Sequence, residues 1–147
     1  MHPPFPPPLK DPQFYIALGL APVCWLLLYL VLTPQLQLDW PLHESRRFLY
    51  PALVYPVVEE LIFRGLLQDL AHRYLPAWKL GPLTQANVLV SLLFTALHFI
   101  NHPPLWAAAV LLPSLIFGYF KDRSGGIAAS IALHVFYNSG YLWLFSA

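Results

Sequence analysis

The sequence predicts an all-α, polytopic membrane bundle with about five transmembrane helices. Three observations lead there: 58% of the 147 residues are hydrophobic, only 10% are charged, and the apolar residues fall into five long runs. A soluble domain carries about 25% charged residues, so this chain has less than half the charge of an ordinary wetted surface. Disorder is excluded by the same composition, because 16% of the residues are Phe, Trp or Tyr. A net charge of +1 provides no basic field for nucleic acid. The single cysteine, Cys24, excludes a disulfide framework and a Cys-rich zinc site.

Residues 1–13 form a proline-rich tail, and its opening MHPPFPPP reads as extended polyproline without a fold of its own. Residues 14–33 are the first transmembrane helix, an uncharged run that meets the span requirement of about 20 residues. The run lacks the basic start and small-residue cleavage site of a signal peptide, so it reads as retained. Cys24 within it reads as a small, buried, apolar thiol. Residues 34–47 mix Leu36, Leu38, Trp40 and Leu42 with Asp39, Glu44, Arg46 and Arg47, the pattern of an interfacial linker.

Residues 48–146 hold four more helical segments: 48–70, 87–100 with a start as early as Leu83, 105–120 with Pro113 inside it, and 126–145. Each is read as a helix because a strand or loop in hydrocarbon leaves backbone groups unpaired. A barrel fits poorly, since these runs are continuously apolar rather than alternating. With five spans, Lys10, Arg73, Lys79, Lys121 and Arg123 fall on the side of the N-terminus, against Arg46 and Arg47 on the other. That bias places the N-terminus in the cytoplasm.

Ionisable groups at membrane depth carry the chemistry. Each costs about 2.5–3.5 kcal/mol at a span centre on insertion scales, so such groups pair or line a wet cavity. The second, third and fifth spans hold Glu59, Glu60, Arg64, His98 and His134, with Asn138 as a strong amide. Glu60 and Arg64 are four apart in the favourable acid-first order. Glu59 is rotated about 100° from Glu60, which leaves it free to face a cavity. Pro56 removes one backbone donor and is expected to free the Ala52 carbonyl and kink the helix. His134 and Asn138 share one face, as an oxyanion site or as an interhelical polar clamp. Phe94, one turn before His98, reads as packing that orients the ring. His2, His43, His72 and His102 fall in tails or loops and carry no case. A carboxylate, two histidines and an amide on three helices suffice for water attack on a peptide carbonyl.

Glu59-Glu60-Leu61-Ile62-Phe63-Arg64 resembles the EExxxR motif of the CAAX protease and bacteriocin-processing family of glutamic intramembrane proteases. Phe94 to His98 resembles its FxxxH motif, and His134 to Asn138 its HxxxN motif. The three occur in order on separate apolar segments. The resemblance implies a four-helix protease core over residues 48–146, with the active site inside the bundle and no cofactor. It implies that Glu59 activates water, that His98 positions and polarises it, and that His134 and Asn138 hold the oxyanion. Glu60, Arg64 and Phe94 would support them. The implied partners are the bilayer and a membrane protein or a lipidated or tail-anchored peptide. The short chain with one leading span is similar to the small bacterial branch tied to JDVT-type C-terminal sorting tails, which implies the bacterial inner membrane and a role in protein sorting.

Other readings use the same residues. Glu59, His98 and His134 make a possible His₂Glu zinc set, although HExxH is absent. A di-iron site needs Glu-x-x-His pairs, and positions 62 and 63 are Ile and Phe. A bacteriocin-immunity or scaffold protein would use the polar cluster only to fix packing. A proton-coupled transporter is disfavoured by the lack of repeat symmetry.

Overall fold

The computed structural model describes residues 7–146. The expected polyproline lead-in lies outside the described residues except at Pro7, which is extended, and Pro8, which begins a 3-10 turn, Pro8–Lys10. Helix α1, Pro12–Leu32, starts at Asp11, whose side chain accepts from the Gln13 N–H at 3.0 Å, with proline at the first helical position. Only Phe14, Ala17 and Ala21 of α1 are buried, while Leu26, Leu27, Leu30 and Val31 are each more than half exposed. A helix that is apolar on every side yet faces outward is stable only in lipid. Cys24 is exposed on this outer surface rather than buried in protein as expected, because α1 touches the bundle along one narrow stripe.

After a short helix α2, Trp40–His43, comes one continuous helical run, α3. It is built of Ser45–Leu49, a π-helical turn Tyr50–Val54, Tyr55–Glu60, a second π segment Leu61–Leu67, and Gln68–Tyr74. A small antiparallel hairpin, β1 (Lys79–Leu80) and β2 (Leu83–Thr84), turns through Gly81, whose φ of 59° only glycine adopts freely. It adds a strand pair to the helical fold expected from the sequence. Helix α4, Gln85–His98, follows, capped by Thr84. The run expected as one helix over residues 105–120 is divided into α5, Pro104–Ala109, and α6, Leu111–Ser124. The break falls in the turn before Pro113, where the ring displaces the preceding turn. Helix α7, Ala128–Phe145, closes the fold.

The chain runs up and down five times. Helix α7 packs against α1, α3 and α6, and α4 packs against α3 and α6. Two helical runs, Pro12–Leu32 and Pro104–Ser124, are long and apolar enough to cross a membrane, with Gln85–His98 a shorter apolar helix. At one end Arg123 pairs with Asp11, Lys121 meets Asp69 at 2.8 Å, and the Tyr119 hydroxyl donates to Gln13 at 2.5 Å. At the other end the Trp40 indole donates to the Trp143 carbonyl at 3.1 Å, and the Trp143 indole donates to the Leu38 carbonyl at 2.8 Å.

Helices α4 and α6 approach closely because position 118 has no side chain. A Cβ there would lie 1.9 Å from Asn87 Oδ1, whereas a Cβ at Gly19 meets nothing within 4 Å. Gly118→Ala is therefore expected to cost about 1–3 kcal/mol, with Gly19→Ala neutral or stabilising, in thermal unfolding of the detergent-solubilised protein. The hydrogen bond from Arg123 holds the Asp11 carboxyl below its ordinary pKa of 3.8, against the opposing effect of burial. A depressed folded pKa gives stability that is present above the unfolded value and lost as pH falls through the folded one. Thermal stability is thus expected to drop below about pH 4, with a smaller drop in Asp11→Asn.

Candidate active site

Helix α3 brings Glu59, Glu60, Phe63 and Arg64 to the centre of the bundle. The Glu60 and Arg64 side chains are fully buried, with Arg64 Nε 3.5 Å from Glu60 Oε2. Neither of those two atoms has a hydrogen-bond partner among the described residues, so they face each other as charges. The other guanidinium nitrogens donate to the Ser114 carbonyl at 2.9 Å, to Ser114 Oγ at 2.5 Å and to Ser91 Oγ at 3.4 Å. The pair expected from the four-residue spacing is present, and its remaining polar groups come from α4 and α6.

His134 on α7 lies between the two carboxylates. Its Nδ1 is 2.9 Å from Glu60 Oε1, and its Nε2 is 3.6 Å from Glu59 Oε2. A carboxylate paired with Arg64 is an acceptor only, so Nδ1–H donates to Glu60 and Nε2 is turned toward Glu59. The sequence left Glu59 apart from this cluster; the structure joins all three groups through one imidazole. Phe117 stacks on the His134 ring at 4.7 Å between centroids, and Phe94 meets it edge-on at 6.0 Å. Phe94 also contacts Phe63 and His98, and the Arg64 guanidinium lies 5.8 Å from its centroid. This one ring sets the spacing of both histidines and the buried cation.

His98 is half-buried near the end of α4, and its Nδ1 donates to the Phe94 carbonyl at 2.8 Å. That bond leaves Nε2 as the available ring atom. Glu59, Phe63, Phe94, Leu97, His98, Asn101 and His102 line a cavity of about 250 Å³. A water occupies about 30 Å³ in the liquid, so several fit. The Glu59 side chain is 32% exposed, while Glu60 is sealed.

Asn138 occupies a different place. Its Nδ2 donates to the Pro51 carbonyl at 3.1 Å. In the π turn of α3 the Tyr55 N–H bonds to the Tyr50 carbonyl, five residues back. The next donor in that ladder would be Pro56, which has no N–H. The carbonyl that a side chain takes up is therefore that of Pro51, not the Ala52 carbonyl expected from α-helical spacing. An Asn amide has two hydrogens, and one is committed here.

Sequence reasoning missed two groups. His102 was left in a loop, yet it lines the cavity, with its ring nearly parallel to His98 at 5.6 Å. Its N–H bonds to the His98 carbonyl at 3.0 Å, which extends the helical path by a turn, so the four-residue spacing from His98 was the signal. The second group continues the stripe Glu60, Arg64, Gln68, His72. Gln68 Nε2 donates to the Gly118 carbonyl at 3.0 Å and to Asp122 at 2.7 Å. Asp122 also meets His72 at 2.7 Å and accepts from Thr84 Oγ1 at 2.6 Å. Among the described residues no group of three or more His, Cys, Asp or Glu side chains is arranged to hold a metal ion.

In this helical bundle Glu59 and His98 line a small cavity, with Glu60 and His134 buried beneath them. The profile of the Type II CAAX prenyl endopeptidase Rce1-like family matches residues 41–140. The chain belongs to that family, which makes it a membrane peptidase by class. No curated protein and no solved structure matches the chain.

Arg64→Met is expected to destabilise by about 3–5 kcal/mol, because it leaves the Glu60 charge buried and unpaired. Adding Glu60→Gln removes that charge and should recover part of the loss, as read from unfolding of the single and double variants.

Proposed function

We propose that this protein is an intramembrane endopeptidase that hydrolyses a peptide bond near a terminus of a membrane-associated substrate, with Glu59 as general base. The observation that carries the reading is the division of labour between adjacent glutamates. Glu60 is buried on Arg64 and His134, whereas Glu59 shares the same imidazole but faces a cavity with room for water.

In this reading Glu59 takes a proton from water as the water oxygen bonds to the scissile carbonyl carbon. His98, with Nδ1 held by Phe94, presents Nε2 to position and polarise that water. With an N–H on both ring nitrogens, His134 is fixed to Glu60 through Nδ1 and offers Nε2–H to the negative carbonyl oxygen. We assign the second amide hydrogen of Asn138, one turn on along α7, as the other donor. The proton taken by Glu59 passes to the departing nitrogen as the C–N bond breaks, giving one acid and one amine per water consumed. Glu60, Arg64 and Phe94 position these groups. No metal enters any step. The substrate is a membrane protein or a lipidated or tail-anchored peptide, and a C-terminal sorting or anchor tail has this form.

Glu59→Gln keeps the side-chain shape and is expected to lower turnover about 10²–10⁴-fold while the protein still folds and inserts. The measurement is a comparison of protein termini in host membranes carrying wild type or variant at matched expression, with a chelator arm in which cleavage persists. Unchanged termini in Glu59→Gln would defeat the protease reading, and loss of cleavage restored only by zinc would defeat the metal-free mechanism.

A further inference from the structure

The two ends of the bundle differ in charge, and the catalytic cavity belongs to one of them. Contacts at the first end gather Asp11 with Arg123, Asp69 with Lys121, and His72 and Thr84 with Asp122. Lys10, Arg73 and Lys79 lie in the segments that flank these residues. At the second end, Trp40 and Arg47 contact the carbonyls of Trp143 and Ser146, and Arg46 and Arg47 are the basic residues outside the helix centres.

Helix α4 runs from Thr84 at the first end to His98 at the second, a rise of about 21 Å over fourteen residues. The cavity holds His98 and continues into Asn101 and His102, both exposed in the turn after α4. Toward the first end the interior is closed, with Arg64, Gln68, Asn87, Ser91 and Ser114 all fully buried. Water and peptide therefore reach Glu59 from the end that carries the 99–103 turn, the 34–47 linker and Ser146.

Loops rich in Lys and Arg stay in the cytoplasm, and acidic residues contribute little to that choice. The basic end is the one with the N-terminus. We propose that the Glu59 cavity opens to the extracytoplasmic face, and that its substrates are exported membrane-anchored proteins presenting a peptide segment at the outer boundary of an apolar anchor. Phe63, Phe94 and Leu97 give the cavity an apolar wall for a side chain, and His98, Asn101 and His102 offer polar contacts to an extended backbone. The orientation stands on the chain alone, whereas the substrate class rests on the protease reading.

The test uses the full chain with Cys24→Ser, carrying Asn101→Cys at the cavity rim, His43→Cys on the linker, or Lys79→Cys on the hairpin. Intact bacterial spheroplasts and lysed membranes are treated with a membrane-impermeant maleimide. Asn101→Cys and His43→Cys should label in intact spheroplasts, and Lys79→Cys only after lysis. Labelling of Lys79→Cys in intact spheroplasts, or a requirement for lysis at positions 101 and 43, overturns the proposed orientation whether or not the protein cleaves anything. Termini lost in Glu59→Gln should lie beside anchors on the outer face. Lost termini on the cytoplasmic face overturn the substrate class while the orientation stands, and an absence of lost termini strikes the protease reading and the substrate class with it.

Discussion

The rest of the structure depends on one constraint, the burial of a guanidinium at membrane depth. Arg64 has no access to solvent, so its charge and donors must be satisfied inside the bundle. Glu60 supplies the opposite charge, and Ser91 and Ser114 accept the outer donors. These partners fix three helices against one another, since they sit on α3, α4 and α6. His134 then adds α7 by bonding the same carboxylate. Four helices are thus held by a single buried ion pair and its hydrogen bonds. Such pairs add little net stability but are costly to break, so they specify an arrangement more than they strengthen it.

The irregular backbone of α3 answers the same demand. A straight α-helix drifts about 40° with each four-residue step, so Glu60, Arg64, Gln68 and His72 would spiral away from one partner face. The π segment Leu61–Leu67 turns less per residue and counters that drift. Glu60, Arg64 and Gln68 are all fully buried as a result. The first π turn leaves the Pro51 carbonyl without a donor from Pro56, and Asn138 supplies one. Positions 56 and 138 are linked in this way, since the proline creates the vacancy that the asparagine fills.

The spans and the paired spacings were legible in the sequence because a bilayer demands long apolar runs and helices put fourth neighbours on one face. That is why Glu60 with Arg64, and Phe94 with His98, could be read directly. The bridging of Glu59 and Glu60 by His134 was not legible. It depends on how α7 is rotated against α3, which single-chain periodicity does not fix. His102 was missed because it follows the last helical residue, where the apolar pattern ends although the backbone path continues. The carbonyl freed by Pro56 was misjudged by one residue, since a π turn shifts the donor ladder and spacing rules assume an α turn. Cys24 was misread because residue type alone marks a free thiol as buried, whereas α1 buries only Phe14, Ala17 and Ala21 against the bundle.

A hydrolase in a bilayer has to hold charge in a dry interior and still admit water, and this chain separates the two tasks along one helix. Toward the basic end, Arg64 and Gln68 are fully buried, their terminal nitrogens donate to Ser91, Ser114, Gly118 and Asp122, and the network ends on Asp122. Toward the other end, the wall passes from Phe94 to His98 and then to exposed Asn101 and His102, where side chains can meet water. Glu60 lies on the dry side of this boundary and Glu59 on the wet side, one residue apart. A rotation of about 100° between neighbours on a helix is what lets one carboxylate anchor the bundle while the next faces the cavity. Two adjacent glutamates are therefore the smallest unit that can cross from the sealed network to the open cavity, and His134, with a nitrogen toward each, is the group that couples them.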